Sequence, residues 1–364
     1  MGIAIILGTR PEIIKMSPVI KELEKLNEEY FILHTGQHYD YELDKIFFEE
    51  LKLRPEAINL NIGSGTHGEA TGKMMIGIEK VLLKEKPQIT LVQGDTNTAL
   101  AGSLTSVKLG INLGHVEAGL RSYDRRQPEE FNRVVADHVG NYLFVPTKKS
   151  ERTLRGEGIP EEYIFLTGNT IVDVVYSHIN KLRERSEIFD DLEVEGKEYI
   201  LVTAHREENV DYKSRLLGIL EGLKNISREF ELPIIFPIHP RTRKRIDEFG
   251  LNKLLEKIRN LKIIRPIGFF DTLALEKNAK LVLTDSGGIQ EEACILKTPC
   301  VVLRDRSDRP ESIEVGASML AGCDGDKILE ASKKMIDRKT TWENPFGDGR
   351  AGKRIIKIVR NSMK

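Results

Sequence analysis

The sequence predicts an α/β protein built from two doubly wound, Rossmann-like domains facing an interdomain cleft. Three observations carry that expectation. Short apolar runs alternate with amphipathic stretches throughout, as in repeated βα units. The alternation restarts at Tyr199, after the charged stretch Glu187 to Lys197, so there are two arrays and not one. At 364 residues the chain exceeds what a single hydrophobic core ordinarily serves.

In the first array the strands expected are Ile3 to Leu7, Phe31 to Thr35, Ile89 to Gln93, Ile111 to Val116, Tyr142 to Pro146 and Ile164 to Thr167. In the second they are Tyr199 to Thr203, Pro233 to Ile238, Leu261 to Pro266, Lys280 to Thr284 and Pro299 to Leu303. The join falls between Gly168 and Gly196, where a helix from Ile171 to Arg185 runs into the charged stretch. The division expected is residues 1–170, completed by a C-terminal basic helix within 351–364, and residues 171–350. Ligands of open parallel sheets sit beyond the carboxyl ends of the strands. Residues just after each apolar run are therefore the candidates for chemistry.

Composition narrows the partners. Lys+Arg 55 against Asp+Glu 56 leaves a formal charge of -1, without the basic footprint of a nucleic-acid binder. Cys294, Cys300 and Cys323 form no CxxC pair and cannot all be bridged, which suits a reducing cytoplasm, and no metal-ligand spacing appears. The run Ile3 to Leu7 is too short to span a bilayer and lacks a basic flank. A cytoplasmic protein acting on a small ligand, with neither nucleic acid nor membrane as partner, is expected.

The most informative strand end is Thr284-Asp285-Ser286-Gly287-Gly288-Ile289-Gln290-Glu291-Glu292-Ala293. Ile289, Ala293 and Leu296 recur at helical spacing, so Gly287 and Gly288 lie where a helix begins and its first N–H groups have no partner within it. Neither glycine carries a Cβ, so a diphosphate can approach those N–H groups and the positive end of the helix. Ser286 adds a hydroxyl, and Glu292 one turn later suits a ribose diol. The alternative is an ordinary strand-to-helix turn with a solvated acidic face.

The first strand ends in Gly8-Thr9-Arg10-Pro11-Glu12. Pro11 suits the first turn of a helix, Arg10 before it is expected extended and projecting, and Lys15 follows one turn on along the same face. Two cations there suit a sugar phosphate. Gln93-Gly94-Asp95-Thr96-Asn97 follows another strand, with Thr96 or Asn97 able to cap the next helix and Asp95 either a cap or a functional carboxylate. His115-Val116-Glu117-Ala118-Gly119-Leu120-Arg121 and Pro128-Glu129-Glu130, with Asn132-Arg133, add Glu117 and Glu129 in consecutive units. Carboxylates gathered in this way repel one another, so at least one pKa should rise unless Lys15, Arg10 or Arg133 intervenes. Paired carboxylates of this kind suit removal and return of a proton at carbon. In the second half His205 and His239 stand at strand ends, each either a donor to phosphate or the partner of a buried polar group, and Arg309, before Pro310 and so expected extended, can pair with phosphate oxygens.

Two motifs mislead. Gly63-Ser64-Gly65-Thr66-His67-Gly68 matches GxGxxG but does not follow the first strand, and Asp95 comes later than the ribose-binding acid should, so nicotinamide and flavin are not expected. Thr203-Ala204-His205 with Asp285-Ser286-Gly287-Gly288 echoes the boxes of chymotrypsin-like proteases, but that fold is all β.

Taken together, the motifs at Gly8 to Glu12, Gln93 to Thr96, His115 to Arg121, Pro128 to Arg133 and Thr284 to Ala293 closely resemble those of the non-hydrolysing UDP-N-acetylglucosamine 2-epimerases, and the likeness extends to Asn344-Pro345-Phe346-Gly347-Asp348-Gly349. The resemblance implies a GT-B architecture, commonly a homodimer. The implied activity interconverts UDP-N-acetylglucosamine and UDP-N-acetylmannosamine through 2-acetamidoglucal, without NAD or metal, for surface polysaccharide or glycan synthesis. It further implies Asp95, Glu117 and Glu129 as the acid/base set, supported by Arg10, Lys15, Arg133 and His205. The departing diphosphate would be stabilised by Ser286, Gly287, Gly288, Arg309 and His205, with Phe269, Phe270 or the Ile267 backbone against the uracil, beside Glu292 and His239 as read above from the residues. A related UDP-2-acetamido sugar and a GT-B glycosyltransferase are the competing readings.

The chain departs from the family pattern in three places. His205-Arg206-Glu207-Glu208 stands where the family often has His-Arg-Arg-Glu, a tyrosine follows Gln37-His38, and Gly63 to Gly68 replaces the loop that helps bacterial members bind a second, activating substrate.

Overall fold

The computed structural model describes residues 2–36, 48, 51, 53, 57–63, 65–181 and 188–363. The chain forms two compact units, Met1–Tyr176 with Phe346–Lys364 and Ser177–Pro345.

The first unit is a parallel sheet of β1 (Ile3–Leu7), β2 (Tyr30–His34), β3 (Ala57–Asn59), β4 (Ile89–Gln93), β5 (Asn112–Val116), β6 (Tyr142–Val145) and β7 (Ile164–Leu166) in the order β3-β2-β1-β4-β5-β6-β7. Its crossovers include α1 (Arg10–Lys25), α2 (His67–Glu85), α3 (Asn97–Lys108), α4 (Pro128–Val139) and α5 (Lys148–Gly156), and α6 (Thr170–His178) follows its last strand. Every residue of β1 and β4 is buried, which is why both read as unbroken apolar runs rather than as alternating strands. Ile6, Leu33, Val92 and Leu113 pack with Met74, Ile78 and Leu82 of α2 and with Ala99 of α3. Strand order reverses between β1 and β4, so the loops after those two strands are neighbours.

The second unit repeats the plan with β8 (Ile200–Thr203), β9 (Ile234–Pro237), β10 (Leu261–Ile264), β11 (Leu281–Thr284), β12 (Cys300–Val302) and β13 (Ser318–Leu320) in the order β10-β9-β8-β11-β12-β13, again parallel. Its longer helices are α7 (Lys213–Glu229), α8 (Pro240–Glu248), α9 (Phe269–Asn278), α10 (Gly287–Leu296) and α11 (Gly325–Met335). Val202, Phe236, Leu283 and Val301 close the core against Leu216, Ile219 and Leu223 of α7 and Ile328 of α11. The reversal here lies between β8 and β11.

The last helix, α12 (Ala351–Ser362), packs on α1 through Ile355, Ile356 and Val359. The Asp173 carboxylate accepts its first two N–H groups, from Ala351 and Gly352, each at 3.0 Å. Both groups would otherwise be unsatisfied.

Two strands escape a sequence reading, β3 and β13, three residues each and each on a sheet edge. The helix expected over 171–185 spans Thr170–His178 and ends in a 3-10 turn, Ile179–Lys181. The tyrosine after Gln37-His38, Ser64 and residues 182–187 lie outside the described residues. All three cysteines are buried free thiols. Among the described residues no helix is long and apolar enough to cross a membrane, and no group of His, Cys, Asp and Glu side chains is arranged to hold a metal ion.

Candidate active site

In the first unit the structure gives each of two carboxylates its own cation. Lys15 Nζ on α1 lies 2.7 Å from Oε1 and 2.8 Å from Oε2 of Glu117, which follows β5. Gln93, the last residue of β4, donates to the same carboxylate. Arg133 on α4 directs Nε (2.9 Å) and Nη2 (2.6 Å) at Asp95 Oδ2 and Nη1 (2.7 Å) at Glu130 Oε2. Asp95 is not the helix cap: Thr96 is, its Oγ1 accepting the Ala99 N–H at 3.1 Å. Glu129 stands half-buried in the first turn of α4, and Arg10 is exposed as the first residue of α1. The extended geometry expected of Arg10 belongs to Thr9 (φ −137°, ψ 157°), the residue that caps the helix. Glu117 itself sits at φ 72°, a left-handed backbone that costs a non-glycine residue about 1 kcal/mol or more.

In the second unit the loop after β8 is held on a fully buried Asp285. Its carboxylate accepts the N–H of His205 (3.1 and 3.0 Å), the N–H of Arg206 (3.0 Å) and Nδ2 of Asn209 (3.1 Å). His205 and His239 come together, their ring centroids 5.6 Å apart. Partial burial lowers the His205 pKa below the ordinary imidazole value; the Arg206 and Arg304 charges act in the same direction, and Asp285 opposes them. Ser286 caps α10, its Oγ accepting the Ile289 N–H at 3.4 Å. Gly287 and Gly288 occupy the first two positions of that helix, whose N–H groups have no intrahelical acceptor.

A family model described as UDP-N-acetylglucosamine 2-epimerase matches residues 21–360. The UDP-N-acetylglucosamine 2-epimerase of Methanocaldococcus jannaschii is 55% identical over 362 residues, covering 99% of this chain and 99% of that protein. The chain belongs to the UDP-N-acetylglucosamine 2-epimerase family. A second relative of the same name, from Methanococcus maripaludis, is 53% identical over 365 residues and covers 100% of this chain and 99% of its own. The crystal structure of the Methanocaldococcus jannaschii UDP-GlcNAc 2-epimerase in complex with UDP-GlcNAc and UDP superposes with a TM-score of 0.94 at 54% identity, covering 99% of this chain and 100% of that one. The two parallel α/β units are those of a GT-B protein.

In this epimerase-family chain a buried ionic relay supports the carboxylates. His115 Nδ1 is 2.7 Å from Asp137 Oδ1, and its Nε2 is 2.8 Å from the Gly94 carbonyl. Burial opposes a charge on His115, but the Asp137 carboxylate and the Gly94 carbonyl outweigh it and hold the imidazole pKa above its ordinary value. Asp137 also accepts the Gly119 N–H (3.1 Å) and Arg121 Nη1 (2.7 Å), and Arg121 grips both oxygens of Glu157 (2.8 and 2.7 Å). The relay ties the Asp95 loop to the Glu117 loop through Gly94 and Gly119. A Cβ at Gly119 would fall 2.6 Å from the Ser150 carbonyl oxygen, and its φ is +81°, so only glycine fits.

Other expected residues land differently. The Arg309 guanidinium is 7% accessible, with Nε 2.5 Å from Glu291 Oε1 and Nη1 3.0 Å from Asp308 Oδ2. Its backbone (φ −125°, ψ 57°) departs from the extended form because Gln290 Nε2 binds its carbonyl (3.0 Å) and Ser307 Oγ accepts its N–H (3.0 Å). Phe270 is buried, with His178 at 4.8 Å and Phe269 at 5.4 Å, and Ile267 is half-buried in the loop before α9. Glu207, where the family often has arginine, lies 2.5 Å from Arg241 Nη1, so its charge is answered locally. The GxGxxG segment follows the edge strand β3 and ends inside α2, whose cap is Thr66.

The residues a sequence reading passes over are Glu12, Asp285 and Gln93. Glu12 is 1% exposed and accepts from the Gly8 N–H (2.9 Å), Thr9 Oγ1 (2.8 Å) and Thr96 Oγ1 (2.7 Å), bridging the loops after β1 and β4. Asp285 does the same between β8 and β11. Each unit thus has one buried carboxylate across its strand-order reversal. Their positions inside recognisable motifs were the available signal.

Proposed function

We propose that the chain interconverts UDP-N-acetylglucosamine and UDP-N-acetylmannosamine. A base takes the proton from sugar carbon 2 while the bond from carbon 1 to the UDP oxygen breaks, leaving the 1,2-double bond of 2-acetamidoglucal. UDP then adds back to carbon 1 as a proton reaches carbon 2 from the opposite face, so atoms and charge balance. The observation that carries the reading is the pairing of Glu117 with Lys15 and of Asp95 with Arg133 at the ends of adjacent parallel strands. Two carboxylates, each held by its own cation, suit removal on one face and return on the other.

In this reading Asp95, Glu117 and Glu129 move the proton, with Arg10, Lys15 and Arg133 beside them. The departing diphosphate goes to Ser286, the N–H groups of Gly287 and Gly288, and the His205 and His239 rings, donors aimed where charge develops. Glu292 accepts from the ribose, and the Ile267 backbone meets the uracil. Arg309, paired with Glu291 and Asp308, fixes the loop beside the start of α10. The enzyme acts as a cytoplasmic homodimer in the same reading, which light scattering of the purified chain tests.

The experiment is proton exchange. In deuterium oxide, UDP-N-acetylglucosamine with no acceptor should gain deuterium at carbon 2 and yield the manno epimer, both visible by proton NMR. A sugar that stays fully protonated would refute the proposal in favour of a glycosyltransferase.

A further inference from the structure

Behind Glu292 lies a second carboxyl that the proposed chemistry leaves unused. Glu276, in the last turn of α9, is fully buried, and neither of its oxygens has a hydrogen-bond donor among the described residues. Its helix packs against α10, which brings it within hydrogen-bonding reach of Glu292, itself buried. Among the described residues, the Tyr199 phenol ahead of β8 and the Cys300 thiol on β12 also face Glu276. Burial pushes both of those pKa values up, so both groups are neutral, and the Tyr199 hydroxyl is already committed to the Leu275 carbonyl at 2.7 Å.

An ionised Glu276 would be a desolvated charge without a donor, beside a second carboxylate and at the negative end of α9. A protonated Glu276 has a donor of its own, and Glu292 supplies the acceptor. Burial, with Glu292 next to it, accordingly holds the Glu276 carboxyl well above the usual carboxylate range.

We propose that Glu276 is a neutral carboxylic acid whose O–H donates to the Glu292 carboxylate, fixing the orientation in which Glu292 accepts the ribose hydroxyls of UDP. Glu276 is a positioning residue: it acts through Glu292 and touches no substrate. The ribose half of this inference rests on the UDP site proposed above, whereas the shared proton does not.

Two measurements separate those halves. Infrared difference spectra of the full chain at neutral pH, wild type against Glu276→Gln, should show a protonated-carboxyl carbonyl band that the variant lacks. A wild-type spectrum without that band overturns the proposal. Calorimetry then compares UDP with 2′,3′-dideoxy-UDP. Glu276→Gln keeps a donor in the same volume and should retain the wild-type affinity for UDP. Glu276→Leu removes the donor and should weaken UDP about tenfold, as one charge-assisted hydrogen bond is worth, while leaving the dideoxy analogue unchanged. Equal losses for both nucleotides would overturn the positioning role. A wild type that binds both nucleotides equally would overturn the assignment of ribose to Glu292 on which that role depends.

Discussion

Lys15 Nζ reaches both oxygens of Glu117, at 2.7 and 2.8 Å, across 102 positions of sequence. A second cation, Arg133, reaches Asp95 and Glu130 in the same way. The self-repulsion expected of the cluster is therefore relieved pair by pair. Glu117→Gln and Asp95→Asn keep the shape and an acceptor but cannot take a proton. Each should cut carbon-2 exchange by about 100-fold or more, the usual scale for a lost acid/base group, with UDP affinity little changed. Near-normal exchange in either variant would remove that residue from the acid/base set.

Glu12 predicts a pH effect on stability. Its pKa is raised from 4.5 to about 7 because burial outweighs the hydrogen bonds it accepts from Thr96, Thr9 and Gly8. Between those values the folded chain keeps a proton that the unfolded chain has released, so stability falls as pH rises through the window. The loss is about 1.4 kcal/mol per pH unit, roughly 3 kcal/mol in all. Glu12→Gln can keep the bonds to Gly8, Thr9 and Thr96 by reversing the Thr96 hydroxyl, and it carries no charge. Denaturant unfolding should show a flatter stability profile between pH 4.5 and pH 7 for the variant; parallel profiles would mean that Glu12 does not titrate there.

The pKa values of His115 and His205 are displaced in opposite directions. His115 is held above its ordinary value of 6.5, so its contribution to stability is full below that pH and is lost as pH rises through the folded value. The stabilising difference between wild type and His115→Gln should therefore shrink on going alkaline. His205 is held below 6.5, so its NMR titration midpoint in the free protein should be acid-shifted. UDP, bringing negative charge to the ring, should move that midpoint upward. A midpoint indifferent to UDP would place the diphosphate away from His205.

How much was legible follows from how far each feature reaches along the chain. Buried parallel strands announce themselves as local apolar runs, and β1 and β4 fall on the residues expected. The edge strands β3 (Ala57-Ile58-Asn59) and β13 (Ser318-Met319-Leu320) lack the unbroken bulky apolar run by which β7 (Ile164-Phe165-Leu166), equally short and also on an edge, is read. The partners were not legible: Glu12, an acid after a helix-starting proline, reads as a solvated first-turn residue, and its burial depends on Thr96, 84 positions away. Glu276 beside Lys277 reads as an exposed charged face, yet α9 turns it inward. Arg309 was expected extended because Pro310 follows it, and its neighbours Asp308 and Glu291 hold its guanidinium instead.

Gly288 offers the sharpest separation of fold from function. A Cβ there would meet Ser286 Oγ at 3.7 Å and Glu292 Oε1 at 3.9 Å, ordinary contacts, and its backbone is not in the left-handed region. Among the described residues nothing near this position requires glycine, and alanine is the better helix former. If a diphosphate packs against the backbone, the added methyl occupies its place. Gly288→Ala should therefore unfold at the same or a slightly higher temperature, while UDP affinity falls about 100-fold, the loss of close N–H contact to a charged group. Carbon-2 exchange should fall with it, although Asp95 and Glu117 lie in the other unit and are untouched. Gly287→Ala is the control: its Cβ would sit 3.3 Å from Asp308 Oδ1, so it should lose stability as well as binding. Retention of UDP by Gly288→Ala would move the diphosphate off the start of α10.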